Sequence, residues 1–191
     1  MNKKLLANVI AFIFEPMIVF SVLSLLAGVN AELSDYQTFL YAIFLVGGMI
    51  IPVAGFRLWL LKTKRVSDWD IKERGERLVP MTALLVYSLI QLFMVYMIGS
   101  DALTLTFALY FFWLAGMFLI TLFWKISGHV GALTLAVLLI IQWFGSPWSL
   151  FLLTIPLIGW SRVATRHHTL GQVTGGAVYS LVIVYLSKGY F

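Results

Sequence analysis

Between residues 5 and 29 the chain carries one charged side chain, Glu15, and apolar stretches of similar length recur as far as the C-terminus. Crossing the hydrocarbon core of a bilayer takes about 20 helical residues. Stretches this long and this frequent have no place in a soluble domain, which normally has about a quarter of its residues charged. Here 61% of residues are hydrophobic and 11% charged. The absence of cysteine excludes a disulfide framework and a thiolate metal site. The net charge is +5, but the cations sit in short loops rather than on a broad face. That distribution points to membrane topology and membrane lipids, not to nucleic acid.

The runs predict an all-α, polytopic transmembrane helix bundle of about seven spans (six to seven) in a single domain, residues 1–191. Spans are expected at residues 5–29 and 36–61, followed by a polar stretch at 62–79. Two more, 80–98 and 102–124, are joined by Gly99-Ser100-Asp101 in a tight hairpin. A shorter pair, 130–144 and 148–160, meets at Gly145-Ser146-Pro147, and the last span covers 170–186. The first run exceeds the usual core of a signal peptide, about 7–15 residues, so it reads as a retained helix. Counting passes puts the N-terminus, 62–79, 125–129 and 161–168 on one side. Of 13 Lys and Arg, only Lys188 falls on the other side. The positive-inside rule then places the first side in the cytoplasm and the protein in the cell membrane.

The residues able to do chemistry gather on that same face. Lys125-Ile126-Ser127-Gly128-His129 opens one helix. Ser161-Arg162-Val163-Ala164-Thr165-Arg166-His167-His168 leads into another, with Gln172 and Gly175-Gly176 in its first turns. A third cluster runs from Asp68 through Asp70, Arg74 and Arg77 toward Pro80. In a continuous helix, Asp70, Arg74 and Arg77 share one face. Guanidinium groups and helix N-termini both aim donors at an oxyanion. One histidine beside such a site can attack phosphorus while another protonates the leaving oxygen.

Ser127-Gly128-His129, followed by Ser161-Arg162, five residues and His168, resembles the second and third motifs of the type 2 phosphatidic acid phosphatase superfamily. That superfamily includes membrane lipid phosphatases. Ile126 stands where the family has proline, and Gln172 stands where it has aspartate. The first motif matches only through Arg77 and Pro80; the version from Asp68 to Pro80 looks like that of a divergent bacterial and archaeal branch. The resemblance covers residues 68–176. It implies a hydrolase acting on a lipid phosphate or a prenyl diphosphate through a phosphohistidine, with no metal or other cofactor. His168 is implied as nucleophile, His129 as general acid, and Gln172 as the group orienting His168. Arg162, with Arg74 and Arg77, would hold phosphate oxygens, and Ser127, Gly128 and Ser161 would complete the phosphate site. Glutamine at this position also resembles the polyprenyl diphosphate phosphatase branch.

Other readings stay open on sequence alone. The scaffold also suits a non-catalytic lipid-phosphate binder or transporter. An intramembrane prenyltransferase would need a second Asp-rich cluster beside Asp68-x-Asp70. Lys125 suits either snorkelling or a phosphate contact. Lys62, Lys64, Arg65 and Arg166 read as topology or headgroup contacts. Glu15, next to Pro16, suits either a cavity at a helix bend or a partner cation. Gly47-Gly48 and Gly175-Gly176 read as close-approach points between helices.

Overall fold

In the computed structural model of the protein, residues 3–66, 71 and 74–189 are described. These are helical, with no strand among them. Five helical stretches are long and apolar enough to cross a membrane: Lys3–Asn30, Asp35–Lys62, Gly75–Tyr96, Asp101–Phe123 and Leu170–Ser187. Many large apolar side chains lie exposed along them, Phe12, Phe39, Phe93 and Leu181 among them. Apolar exposure on that scale is what a lipid-facing surface requires and what a water-soluble protein avoids. The helical bundle therefore fits an integral membrane protein.

The chain forms two compact units, Met1–Leu23 with Trp124–Phe191, and Ser24–Phe123. The first contains α1 (Lys3–Ile13), the start of α2 (Pro16–Asn30), α7 (Gly128–Phe144), a 3-10 stretch (Ser146–Leu153), α8 (Thr154–Ala164) and α9 (Leu170–Ser187). α1 and α2 read as one span in the sequence but break at Glu15. Pro16 has no N–H to continue the ladder, and it suits the first position of a new helix. The buried Glu15 carboxylate accepts the Met17 N–H at 2.7 Å, so it caps α2. Within this unit α7 packs on α9, on α8 and on the 3-10 stretch, while α1 packs on α8. Most of α7, from His129 to Val137, is buried, in keeping with its nearly uniform apolar sequence. The contact with α9 is close because small residues face it. Ser180 Oγ donates to the Gly131 carbonyl at 2.8 Å. A Cβ on Gly176, one turn earlier, would lie 2.6 Å from the Ser127 carbonyl oxygen.

The second unit contains the rest of α2, α3 (Asp35–Leu45), a π-helical stretch (Val46–Ile50), α4 (Ile51–Lys62), α5 (Arg74–Tyr96) and α6 (Asp101–Phe123). α5 and α6 form the expected hairpin, turning at Gly99 with φ +77°. α5 begins well before Pro80, passing through it. Proline so close to a helix start deprives only one carbonyl, that of Glu76, of its usual donor. The π stretch has a definite cause four residues downstream of Gly48. Pro52 cannot donate to the Gly48 carbonyl, and Tyr87 Oη and Gln91 Nε2 donate to it instead, at 3.0 and 3.2 Å. Within a bilayer such replacement is obligatory, because no water is present to fill the vacancy.

Candidate functional site

The two motifs that carry the family resemblance both lie in the first unit, and ordinary helix-end chemistry explains their geometry. α8 ends in a Schellman motif: Arg166 occupies the left-handed region at φ +59°. Its N–H bonds the Val163 carbonyl at 3.0 Å, and the His167 N–H bonds the Arg162 carbonyl at 3.1 Å. The His168 N–H reaches the same Arg162 carbonyl at 3.2 Å. Five residues between arginine and histidine are thus the length of one helix terminus folded back on itself. This turn leaves Arg162 1% exposed and His168 6% exposed. Arg162 is the largest wholly buried side chain among the described residues.

The next residue begins α9. Thr169 and Gln172 form a capping box: Thr169 Oγ1 accepts the Gln172 N–H at 3.3 Å, and Gln172 Oε1 accepts the Thr169 N–H at 3.1 Å. The same Oε1 lies 3.2 Å from His168 Nδ1. Only the amide oxygen can accept from a backbone N–H, so the capping box fixes which end of the amide faces the ring. In that contact His168 Nδ1 is the donor and Gln172 Oε1 the acceptor. A neutral side chain here contacts the His168 ring from the position four residues on. The pattern Thr-x-x-Gln is a sequence signature of a capping box, and it marks Thr169 as a participant that the motif comparison alone omits.

The other motif lies against this corner. Ser127 N–H donates to the Gln172 carbonyl at 3.0 Å. Its Oγ caps α7 by accepting the Val130 N–H at 3.4 Å. Gly128 and His129 are therefore the first residues of α7, where backbone N–H groups have no intrahelical acceptor. Ser127 is wholly buried and His129 nearly so. Glycines allow this approach: a Cβ on Gly175 would lie 2.6 Å from the Trp124 ring and 3.4 Å from Ile126, and Gly176 meets the Ser127 backbone. One main-chain bond, Ser127 N–H to the Gln172 carbonyl, connects the two motifs, and within the second the His168 ring meets the Gln172 side chain and the His168 N–H meets the Arg162 carbonyl.

Other residues singled out in the sequence take more local roles. Ser161 Oγ donates to the Ala7 carbonyl at 2.6 Å, joining α8 to α1. Lys125 Nζ donates to the His167 carbonyl at 2.9 Å, beside the Schellman turn. Arg74 and Arg77 belong to the second unit, in the first turn of α5. Arg77 Nε donates to the Ile71 carbonyl at 2.8 Å. The expected face shared by Asp70, Arg74 and Arg77 falls partly outside the described residues. α5 starts at Arg74, and Ile71 ahead of it has φ +43°, a left-handed conformation that no helix continues. Asp68 and Asp70 lie outside the described residues. Among the described residues no group of three or more His, Asp or Glu side chains is placed to hold a metal ion. No protein-family profile, curated protein or solved structure matches the chain.

Proposed function

We propose that the protein is a membrane-embedded lipid phosphatase that hydrolyses a lipid phosphate or prenyl diphosphate through a phosphohistidine. The observation that supports this reading is the main-chain bond between the motifs, Ser127 N–H to the Gln172 carbonyl, with the contacts of His168 to Gln172 and Arg162 beside it. Together these join Ser127, Gln172, His168 and Arg162 in one buried corner at the start of α7 and α9.

The phosphate oxygens would meet the Arg162 guanidinium, the first-turn N–H groups of α7 and the Ser127 hydroxyl. His168 Nε2 attacks phosphorus (the terminal one in a diphosphate), forming the P–N bond, as the P–O bond to the lipid alcohol or to the prenyl monophosphate breaks. His129 gives its proton to that departing oxygen. In the second half, His129 takes a proton from water as the water oxygen attacks phosphorus. The P–N bond then breaks, and inorganic phosphate leaves.

Seven spans are part of the same reading. The helical run 146–164 combines a 3-10 stretch with α8. At roughly 2.0 and 1.5 Å per residue it reaches about 32 Å, enough for a hydrocarbon core of about 30 Å. With α7 it supplies the fifth and sixth spans, and the charge count puts the His168 corner at the cytoplasmic face of the cell membrane.

The test is phosphate release from phosphatidate, phosphatidylglycerol phosphate and prenyl diphosphates in micelles, with and without chelator. His168→Ala should reduce release to background, and His129→Ala should reduce it by about 10²–10⁴-fold. A radiolabelled phosphate should remain on the wild-type protein after acid-free quenching and be absent from His168→Ala. Undiminished release by His168→Ala would remove the mechanism.

A further inference from the structure

We infer that Trp124 is the residue that recognises the hydrocarbon tail of the substrate, forming an apolar wall immediately beside the phosphate site. The inference rests on the phosphatase reading and extends it from the headgroup to the tail.

The indole is held in place by an absence of side chains on α9. A Cβ on Gly175 would lie 2.6 Å from both Cη2 and Cζ3 of Trp124, and one on Gly171 would lie 3.9 Å from Cζ2. The six-membered ring therefore lies directly on the α9 backbone between these two glycines. Gln172, which orients His168, sits next to Gly171 on the same helical turn. At about 100° per residue, Gly171, Gln172, Gly175 and Gly176 fall within one arc of about 140°. Gly176 faces the Ser127 carbonyl and Gly175 faces the indole, so one side of α9 carries the ring, the orienting amide and the Ser127 contact in succession.

Packing does not use up the ring. Trp124 is 45% exposed, and Leu170, at the first position of α9, is 72% exposed. Both lie within a few residues of the buried His168 corner. An aromatic ring at a span end ordinarily anchors a protein at the bilayer interface, a role that requires neither a glycine-cleared seat nor a position beside a histidine. Trp124, seated on Gly171 and Gly175, and Leu170 are exposed apolar side chains at the same turns of α9 as Gln172, so the first carbons of a lipid whose phosphate reaches His168 can lie on them. Burying about half of an aromatic side chain against hydrocarbon changes affinity by about tenfold.

Two measurements test this. The first compares Trp124→Ala with wild type on a long-chain phosphatidate in mixed micelles and on a water-soluble aryl phosphate. The expected result is a KM about tenfold higher for the long-chain substrate, with kcat and the soluble substrate unchanged. An equal loss on both substrates, or no change on either, overturns the inference. The second needs no turnover: quenching of tryptophan fluorescence by phosphatidate with brominated acyl chains, against diacylglycerol with the same chains. The chain has 7 Trp, so the Trp124 signal is the difference between wild type and Trp124→Phe. Quenching of that difference by the brominated phosphatidate alone supports the inference. Equal quenching by both lipids assigns Trp124 to interfacial anchoring and overturns it. Selective quenching in a protein that releases no phosphate from any substrate would keep tail recognition and discard the phosphatase reading. Turnover without selective quenching would do the reverse.

Discussion

The unit that holds both motifs carries six Lys and Arg against a single carboxylate, Glu15, whereas Ser24–Phe123 carries seven against seven. The net charge of +5 therefore resides entirely in the first unit. In both units, polar side chains within the apolar helices mostly serve the backbone. Tyr41 Oη donates to the Ser24 carbonyl, Tyr87 and Gln91 to that of Gly48, Ser161 to that of Ala7 and Ser180 to that of Gly131. Each of these is explained by the need to satisfy a carbonyl away from water. The two units also end a helix in the same way, with a cation in the left-handed slot of a Schellman motif. Lys64 has φ +54°, with the Arg65 N–H on the Leu60 carbonyl, and Arg166 has φ +59°, with the His167 N–H on that of Arg162. The two differ in the residues that come after the terminator. Beyond Arg166 the chain passes directly through a buried histidine into a capping box. Beyond Arg65 it continues to Val66, which packs with Leu60 and Ile71. The same terminator thus supports the His168 corner in one place and a small apolar cluster in the other. Excess positive charge accompanies only the first.

Three sets of substitutions probe this contrast. The largest effect is expected at Gly176→Ala, where the new Cβ would lie 2.6 Å from the Ser127 carbonyl oxygen. The result should be a loss of about 2–3 kcal/mol in unfolding free energy and of most phosphate release, as Ser127 is pushed off Gln172. The counterpart in the second unit, Gly55→Ala, meets nothing within 4 Å. It should stabilise by about 0.5–1 kcal/mol and leave activity intact; equal losses at both glycines would erase the contrast. An intermediate effect is expected from the double change Tyr87→Phe with Gln91→Leu, which strips the Gly48 carbonyl of both side-chain donors. A loss of about 1–3 kcal/mol in thermal or detergent unfolding is expected, with KM and kcat retained in the protein that remains folded. A selective collapse of kcat would show that the π stretch takes part in the reaction. The smallest effect belongs to the paired caps, Arg166→Gly and Lys64→Gly. Each removes a left-handed non-glycine residue and should raise stability by up to about 1 kcal/mol. A loss of activity in the first but not the second would give Arg166 a part in binding the anion.

Much of the helical order was legible from the lengths of the apolar runs. The hairpin at Gly99 and the start of α9 fall where Gly99-Ser100-Asp101 and the apolar run from residue 170 suggested. Three features were not legible, for identifiable reasons. The π stretch depends on which side chains of α5 can replace the donor lost at Pro52, a tertiary fact. The 3-10 stretch at Ser146–Leu153 shares its composition with an α-helix, so periodicity does not separate the two. The Lys125 bond to the His167 carbonyl exists only because the Schellman motif turns that carbonyl toward it. In the candidate site, the four-residue spacing of His168 and Gln172 was readable as a pair, but the role of Thr169 in fixing the amide required the capping box to be recognised. Arg74 and Arg77 were read as partners of the same phosphate from their cationic chemistry, their helical spacing and motif order. In the structure they open α5, where Arg77 Nε donates to the Ile71 carbonyl.

The doubly used oxygen of Gln172 has one more implication. The beginning of a helix and the protonation pattern of an imidazole share a single acceptor, so neither can change independently. Fraying of the first turn of α9 would release the ring from that oxygen while the rest of the fold stays intact. On the proposed mechanism, the reactivity of His168 would read out whether one helical turn is wound.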